Sequence, residues 1–405
     1  MAYEINEAKQ LVIEAGLKLI ETGLIARTWG NVSARISDTQ FVITPSGLPY
    51  ETLTPDEIVV VNIEDSSYEG DIKPSSEKKM HSALYTLRPD VNFIIHTHQT
   101  AASAISVTRS DIHVPEEFIS VIGPLIPTAE YGVSSTKTLT ENVRKAAEKN
   151  PEAKAVLMAH HGAVCLGKDF TEAFEIASAL EKSSEAAIAK VIGKAAGDSS
   201  KTYADLADVF LEKIVPQGNR GIQFEDLGNS VRNGDTFTLT MKDGSSYVCD
   251  VESGDAKEGI VPRAAKLHST IYKNSGSTVT TIHHLDTPDV VALSCNQKDE
   301  VPLIDDFAMI AGSSIASVYW QGNLHLDDVA KGIKKRNAIL IAGMGALCTG
   351  NSDEDAHCVE LVMAKECKAS LYAAFVKGSK AVGFVGRTLE RLVYVKKYSK
   401  MAEDK

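Results

Sequence analysis

The spacing of apolar residues predicts a mixture of helices and strands in the first half of the chain. Between residues 4 and 22 apolar positions recur every three or four residues, which is the spacing of an amphipathic helix. A second helix is predicted after Pro74 and ends near Leu87, before an Arg-Pro-Asp sequence. A capping box at residues 169–172 predicts the start of a long helix. Short apolar runs predict strands at residues 40–44, 57–61, 91–96 and 155–159.

The order of these elements restricts the fold class. The early strands follow one another along the chain without helices between them. A parallel, doubly wound sheet requires a helical connection between neighbouring strands, whereas antiparallel strands can follow directly. The sequence therefore predicts an α/β sandwich with a mixed or antiparallel sheet.

A long internal repeat determines the predicted domain organisation. Residues 155–167 (AVLMAHHGAVCLG) match residues 338–350 (AILIAGMGALCTG) at seven of thirteen positions. Residues 78–85 (KKMHSALY) similarly match residues 265–272 (AKLHSTIY), and the repeated segments keep the same order. A period of this length indicates two whole domains and not a solenoid. We predict a tandem duplication with domains at residues 1–198 and 199–405.

Composition and charge exclude several classes of partner. The chain has 42 Lys and Arg against 54 Asp and Glu, a net charge of −12, and lacks the basic clusters that bind nucleic acid or anionic membranes. No apolar run approaches the roughly 20 residues that span a bilayer, and the first residues read as an amphipathic helix and not as a signal peptide. Six cysteines without a CxxC pair do not suggest a disulfide framework. These features predict a cytoplasmic protein that does not bind nucleic acid or membranes.

Two histidine-bearing segments predict a metal site. His96 and His98 end an apolar run, and residues two apart on a strand face the same side, so both imidazoles can reach one ion. Imidazole is a good ligand for zinc and neighbouring metals. Another apolar run ends in His160-His161-Gly162, and adjacent residues on a strand face opposite sides, so one of this pair is expected to be the third ligand. Taken alone, two histidines at a strand end are also compatible with ordinary polar residues.

An acidic residue and three short polar segments provide further candidates. Glu77 lies at the predicted start of a helix, where an acid also stabilises the helix dipole. Ser75 and Ser76 precede it, and a helix N-terminus with hydroxyl groups can bind an anion as well as cap the helix. The segments at residues 28–31 (TWGN) and 44–47 (TPSG) are rich in small polar residues and glycine, which can hold a phosphate through backbone N–H groups.

Together the segments GNVSAR, TPSG, PSSE, HTH and HHG, in this order, resemble the class II aldolase/adducin family. The resemblance covers about residues 5–190 and implies two tandem class II aldolase-like α/β/α sandwich domains with a mixed, mainly antiparallel sheet. It implies that His96, His98 and His161 bind zinc, because the family's third ligand directly precedes the glycine, and that Glu77 is the catalytic acid/base. The residues that it implies for binding the substrate phosphate are Thr28, Asn31, Ser46, Gly47, Ser75 and Ser76.

The resemblance also implies an activity. We expect a zinc-dependent retro-aldol cleavage of a phosphorylated sugar to dihydroxyacetone phosphate and an aldehyde, although three imidazoles also accept Fe²⁺, Mn²⁺ or Co²⁺. Within the family, a sugar-phosphate 4-epimerase, a dehydratase and a phospho-sugar-acid decarboxylase are alternatives, and an adducin-like interaction scaffold is a non-enzymatic one. Epimerase relatives have Asp after the Ser-Ser pair, so Glu77 favours the aldolase.

The second domain departs from the family pattern. Glu77 aligns with Ala264 and His161 with Met344, while residues 282–286 (IHHLD) lose the His-x-His spacing in either possible register. We therefore predict that this domain is a degenerate, non-catalytic copy. Because the family forms cyclic tetramers, the resemblance implies a homodimer of the whole chain that makes a pseudo-tetramer. It also implies a tyrosine proton donor from a neighbouring chain, for which Tyr131, Tyr272 and Tyr394 are candidates.

Overall fold

The amphipathic pattern at the start of the chain forms helix α1 (Ile5–Glu21), which buries Ala8, Val12, Ala15 and Leu19 against the first strands of a sheet.

The computed structural model describes residues 2–25, 29–220, 224–256, 259–321 and 325–393. The chain divides mainly into two compact units, Met1–Val191 and Ile192–Lys377. The predicted domain boundary at residue 198 stays a prediction.

The first unit contains a seven-stranded sheet with strand order β3-β2-β1-β4-β9-β8-β7 and a separate pair, β5 and β6. All neighbouring strands of the seven are antiparallel except β7 and β8, which are parallel. The strands are β1 (Asn31–Arg35), β2 (Gln40–Ile43), β3 (Val59–Asn62), β4 (Phe93–Thr97), β5 (Ile112–His113), β6 (Leu125–Ile126), β7 (Thr128–Ala129), β8 (Ala155–Met158) and β9 (Gly162–Gly167).

Helices cover both faces of this sheet. The helices after α1 are α2 (Lys78–Leu87), α3 (Thr100–Ser106), α4 (Glu116–Ile122), α5 (Lys137–Lys149) and α6 (Phe170–Ala196). Helices α2 and α5 pack on one face, in a core that includes Leu84, Ile94 and Val143. On the opposite face Phe93 contacts Tyr3 and Phe170, and α1 and α3 also pack against strands. The predicted α/β/α sandwich with a mainly antiparallel sheet is therefore confirmed.

Two local predictions need correction. The strand predicted at residues 57–61 begins two residues later, because Thr54 and Glu57 cap a short 3₁₀ turn at Pro55–Glu57. The predicted capping box at residues 169–172 forms only in part. Asp169 accepts the backbone N–H of Glu172, at 2.9 Å, but the Glu172 carboxylate accepts from the N–H of Lys168.

The second unit repeats this topology. Its seven strands have the order β12-β11-β10-β13-β16-β15-β14, and only β14 and β15 are parallel. The strands are β10 (Asn229–Asn233), β11 (Thr236–Thr240), β12 (Ser246–Asp250), β13 (Thr281–Leu285), β14 (Ser317–Val318), β15 (Ala338–Ile341) and β16 (Gly345–Gly350). The helices are α7 (Leu206–Lys213), α8 (Ala264–Asn274), α9 (Pro288–Cys295), α10 (Asp305–Ile310), α11 (Leu326–Ile333), α12 (Asp353–Ala373) and α13 (Phe384–Val393).

The same strand order in both units agrees with the duplication that the repeated segments predict. Within the parts of the chain that the structure describes, no helix is both long enough and apolar enough to cross a membrane.

Candidate active site

The sheet of the first unit brings the two histidine-bearing segments together. His96 lies on β4 and His98 directly follows this strand. Strand β9 pairs antiparallel with β4, with Val164 opposite His96 and Ala163 opposite Thr97. The turn that precedes β9 therefore lies beside the end of β4, and this turn carries His161.

The three imidazoles of His96, His98 and His161 converge on one point. One ring nitrogen from each lies within 4.8 Å of the other two. The ring centroids are 4.7 Å apart for His96 and His98, 4.7 Å for His98 and His161, and 5.1 Å for His96 and His161. His96 and His161 are buried, at 1% and 3% exposure, whereas His98 is partly exposed. The cluster is therefore held by the interior of the protein and opens on the side of His98.

A backbone carbonyl determines which nitrogen His96 presents to this point. Its Nδ1 lies 2.8 Å from the backbone oxygen of Ala163, which can only accept a hydrogen bond. Nδ1 therefore carries a proton, and in the neutral ring Nε2 presents a lone pair to the cluster. A backbone carbonyl on the second ring nitrogen is the usual support of a metal-binding histidine.

Glu77, at the N-terminus of α2, lies beside the three histidines. It occupies the N-cap position of α2, where its side chain forms no capping hydrogen bond, and is 7% exposed. Its Oε2 lies 3.2 Å from Nε2 of His96, and its Oε1 lies 3.3 Å from Nε2 of His161. Burial raises the pKa of Glu77, but positive charge on His96 and His161, when these rings are protonated, and the amide of Asn31 outweigh burial and hold the pKa well below its usual value.

The donor set fits a divalent metal ion. Several electron-rich atoms, three imidazole nitrogens and a carboxylate, face one buried point, and lone pairs this close repel one another unless a cation lies between them. Three histidines with one side left open are the ligand set of a catalytic zinc site. The residues of the first unit can therefore hold a metal at this point.

His160 lies outside the cluster although it is adjacent to His161. The pair lies in a turn and not on a strand, and the φ angle of His160 is +66°, so its side chain turns away from that of its neighbour. Its Nε2 accepts a hydrogen bond of 2.9 Å from Nε of Arg109, and its ring packs edge-on against Tyr131. Of the two candidates, the structure brings His161 to His96 and His98.

The predicted phosphate-binding segments meet beside Glu77. Pro45 and Pro74 form an antiparallel bridge, and Ser46 donates its N–H to the backbone oxygen of Lys73 at 2.9 Å. These contacts place the TPSG segment, with Ser46 and the exposed Gly47, against Ser75 and Ser76. Thr28 lies outside the described residues.

Two of the predicted phosphate ligands already have side-chain partners. Asn31 donates from Nδ2 to Oε2 of Glu77 at 3.0 Å. The hydroxyl of Ser76 bonds that of Ser135 at 2.7 Å. Sequence reasoning did not single out Ser135, although the hydroxyl-rich segment VSST at residues 133–136 is a sequence signal for it. The phosphate roles of these residues stay predictions.

Comparison with known proteins agrees with this geometry. The model of the Class II Aldolase and Adducin N-terminal domain matches residues 10–188 and 231–371. The chain belongs to the class II aldolase and adducin family. Both matched segments lie in the described units, so the family domain is present twice.

Relatives of the chain include aldolases. The chain is 32% identical over 178 residues to a 5-deoxy-D-ribulose 1-phosphate aldolase of Bacillus thuringiensis serovar kurstaki, a match of 44% of this chain and 82% of that protein. It is 35% identical over 179 residues to an L-fuculose phosphate aldolase of Escherichia coli K12, or 44% of this chain and 81% of that protein. A solved L-fuculose 1-phosphate aldolase is 33% identical, with a TM-score of 0.44, over 48% of this chain and 90% of that one. The predicted enzyme class, a class II aldolase and hence a lyase, is confirmed.

The structure of the second family domain settles its register against the first. His284 pairs with Leu347 on β16 as His96 pairs with Val164 on β9, since the glycines that end β9 and β16 are equivalent. His284 therefore corresponds to His96, and Asp286 corresponds to His98. Two residues that the structure makes equivalent, His81 and His268, likewise place Ala264 at the position of Glu77.

These replacements remove the metal-binding arrangement from the second unit. Nε2 of His284 lies 2.7 Å from the backbone oxygen of Met344, the residue in place of His161. Asp286 forms an ion pair with Lys242, and Arg263 forms one with Glu225. Among the described residues of this unit, no three His, Cys, Asp or Glu side chains converge as the triad of the first unit does.

Proposed function

We propose that the first unit is a zinc-dependent aldolase that reversibly cleaves a ketose 1-phosphate to dihydroxyacetone phosphate and an aldehyde. The observation that carries this proposal is the convergence of His96, His98 and His161 with the carboxylate of Glu77 at 3.2–3.3 Å. The names of the relatives support the substrate class, since L-fuculose and 5-deoxyribulose phosphates are phosphorylated ketoses. Cleavage of any ketose 1-phosphate between its third and fourth carbons yields dihydroxyacetone phosphate.

His96, His98 and His161 would hold the metal. A zinc ion bound there would act as a Lewis acid toward the carbonyl and hydroxyl oxygens of the substrate and stabilise the negative charge that C–C cleavage produces. The cluster is partly exposed at His98, which leaves room for these oxygens. Nδ1 of His96, bonded to Ala163, keeps Nε2 directed at the site.

Glu77 would move the proton. In the synthetic direction its carboxylate removes a proton from the carbon of dihydroxyacetone phosphate that will form the new bond. In cleavage it returns a proton to the same carbon after the C–C bond has broken. Positioned acid/base groups of this kind contribute about 10²–10⁴-fold to a rate. Burial and the hydrogen bond from Asn31 hold the carboxylate in one place for both directions.

The phosphate of the substrate would be bound beside this carboxylate. The pairing of Pro45 with Pro74 supports this assignment, since it brings the TPSG segment beside Ser75 and Ser76 at the start of α2. A bound phosphate would hold the reacting carbons in a fixed position relative to Glu77. This positioning lowers the entropic part of the activation barrier. The residues that we assign to the phosphate are Thr28, Asn31, Ser46, Gly47, Ser75 and Ser76.

A cleavage assay tests the proposed reaction. The protein is incubated with L-fuculose 1-phosphate and, separately, with 5-deoxyribulose 1-phosphate, and the dihydroxyacetone phosphate released is measured by coupled reduction. We expect turnover of at least one ketose phosphate, loss of turnover after treatment with a chelator, and recovery on addition of Zn²⁺. Undiminished turnover in the chelated, metal-free protein would contradict the zinc-dependent reaction. Release of no dihydroxyacetone phosphate by the zinc-loaded protein from either substrate would contradict the proposed cleavage.

We further propose that the second unit is non-catalytic and that the whole chain forms a cytoplasmic homodimer. Ala264 and Met344 in place of an acid and a ligand support the first statement. A dimer would assemble four family domains, the number in the cyclic tetramers that the resemblance implies. Six buried cysteine thiols are compatible with a reducing compartment. Mass measurement by light scattering tests the dimer, since a mass near 43.6 kDa would contradict it.

A further inference from the structure

A continuous chain of buried hydrogen bonds connects Glu77 to the far end of α2. Tyr85 Oη lies 2.9 Å from Ser33 Oγ, which lies 2.6 Å from Nδ1 of His81. Nε2 of His81 lies 2.5 Å from Oδ1 of Asn31, and Nδ2 of Asn31 donates to Glu77 at 3.0 Å. All five side chains are 7% exposed or less. Buried polar groups joined in this way hold one another in fixed orientations.

The second unit shows which nitrogen of this histidine carries the proton. His268 there has the same partners as His81, since its Nδ1 lies 2.7 Å from Ser230 Oγ, which also contacts Tyr272 at 2.9 Å. Its Nε2 lies 2.9 Å from the backbone oxygen of Leu227, which can only accept. In the neutral ring of His268, Nε2 therefore carries the proton and Nδ1 accepts from the serine hydroxyl.

The surroundings of His81 impose the same protonation. Its ring stacks on Phe41 at a centroid distance of 6.4 Å, as that of His268 stacks on Phe237 at 6.3 Å. Burial lowers the pKa of His81 to about 3, so the ring is neutral. With Ser33 donating to Nδ1, the proton of the neutral ring lies on Nε2 and points at Asn31.

This proton fixes the orientation of the Asn31 amide. Because Nε2–H of His81 donates, the atom of Asn31 that faces it is the oxygen, and the NH₂ group is the one that faces Glu77. A reversed amide would bring the oxygen of Asn31 against the carboxylate of Glu77, where two acceptors repel each other. A donor at the position of His81 is thus needed for Asn31 to stabilise the ionised carboxylate.

Comparison of the two units distinguishes orientation of the Asn31 amide from support of the fold. The second unit keeps Ser230, His268 and Tyr272 with the same contacts, so these side chains support the sandwich in both units. The strand register places Gly228 at the position of Asn31, and the equivalent histidines place Ala264 at that of Glu77. Among the described residues, the chain of hydrogen bonds in the second unit therefore ends at the backbone oxygen of Leu227, whereas in the first unit it reaches the carboxylate of Glu77.

We propose that His81 is a positioning residue for the aldol reaction: acting through Asn31, it holds the carboxylate of Glu77 toward the histidine triad. The proposal rests on the catalytic role that we propose for Glu77. His81 makes no contact with the substrate in this account. Its contribution is the orientation of the Asn31 amide, and Ser33 and Tyr85 contribute by holding its ring.

Matched variants in the two units test the proposal. His81→Phe and His268→Phe both keep an aromatic ring on the neighbouring phenylalanine and remove both ring nitrogens, so a loss of stability common to both reports the structural role. We expect His81→Phe to lower kcat about 10–100-fold, as loss of a supporting hydrogen bond does in metal sites, with KM changed less than about threefold and zinc content unchanged. For His268→Phe we expect kcat within about twofold of wild type.

A conservative variant distinguishes orientation from packing. The amide of Gln can donate to Asn31, so His81→Gln is expected to keep several times the kcat of His81→Phe, even where the two are equally destabilised. Equal kcat values for the two His81 variants, or an equal loss of kcat in His268→Phe, would overturn the proposal. If His81→Phe does not fold, the protonation state of the His81 ring in the wild-type protein decides, by the measurement described next.

A measurement on the wild-type protein is independent of turnover. In ¹⁵N-histidine-labelled protein, long-range proton–nitrogen NMR spectra should show His81 as the neutral ring protonated at Nε2, like His268. A ring protonated at Nδ1 would overturn the proposal even in an active enzyme. Inactivity of the wild type toward ketose phosphates would instead refute the proposed function, and the NMR result would still decide whether His81 orients Asn31.

Discussion

The Oε2 atom of Glu77 lies 3.2 Å from Nε2 of His96, and both side chains are buried. Strand β4 and the N-terminus of α2 supply the two residues, so neither depends on a flexible loop for its position. Since Nδ1 of His96 is bonded to a backbone carbonyl, the nitrogen that faces Glu77 is the one available to a cation. An acid and a candidate metal ligand thus share one buried point.

Replacement of Glu77 should separate metal binding from turnover. In Glu77→Gln the three imidazoles remain, so the protein should keep its zinc, while loss of the carboxylate should lower kcat about 10²–10⁴-fold. Zinc content by inductively coupled plasma mass spectrometry and kcat from the cleavage assay provide the two values. A variant that keeps zinc and more than about a tenth of the wild-type kcat would show that another group moves the proton.

Replacement of the equivalent histidines in the two units should have different effects on metal content. His96→Ala removes a ligand and should lose both zinc and turnover. His284→Ala removes the corresponding residue of β13, which contacts the backbone of Met344, and should keep both. The measured stoichiometry should be one zinc per chain in wild type and in His284→Ala. Two zinc ions per chain would show that the second unit also binds metal.

The turn that carries His161 requires glycine at residue 162. A Cβ atom there would lie 2.3 Å from the backbone oxygen of Thr97, so Gly162→Ala should push β9 away from β4. We expect a loss of stability of about 1–3 kcal/mol, together with weaker zinc binding. In the second unit Gly345→Ala makes a similar clash with Leu285 and is the matched control. The Gly345→Ala variant should lose stability but bind zinc normally. Equal zinc loss in the two glycine variants would contradict a metal site at His161.

A histidine of the second unit should make stability depend on pH. His283 on β13 lies 3.3 Å from Glu360 and 3.0 Å from Asp353 of α12, and Glu360 also contacts His357. The hydrogen bond that His283 donates to Glu360, against the effect of burial, raises the pKa of His283 above its usual value of 6.5. The pair therefore stabilises the fold fully below about pH 6.5, and this stabilisation is lost as the pH rises through the higher folded-state pKa.

The variant His283→Gln tests this pH dependence. The difference in urea midpoint between wild type and variant should be largest near pH 6 and should shrink by pH 9. Parallel midpoint curves over this range would show that the charge of His283 does not contribute. Ile95 occupies the equivalent strand position in the first unit and has no titrating side chain, so the first unit should not add to the difference.

Much of the fold follows from patterns along the chain. The three- and four-residue spacing of apolar positions predicts α1, and short apolar runs predict where four of the sheet strands lie along the chain. The bounds shift where short-range hydrogen bonds compete, as at Thr54 and Glu57 before β3. The sequence also indicates the candidate metal ligands, because His96 and His98 are two residues apart and such residues face the same side of a strand.

The rest depends on contacts between distant segments. Nothing in the sequence shows that Asn31 lies opposite His96 on the neighbouring strand, with the side chain of His81 behind it. His81 is noticeable in the sequence only as part of a repeated segment. The register of the adjacent His283 and His284 was likewise open, since each gives a plausible strand, and only the pairing of β13 with β16 decides it.

Deuterium exchange into dihydroxyacetone phosphate tests the central claim most directly, because it requires no choice of aldehyde. The zinc-loaded protein is incubated with this compound in heavy water, and NMR follows one carbon-bound proton. We predict exchange by wild type and by His284→Ala, and none by Glu77→Gln or by chelator-treated protein. Exchange at the wild-type rate in Glu77→Gln, or its absence in zinc-loaded wild type, would contradict the proposal that Glu77 and the histidine triad form an aldolase site.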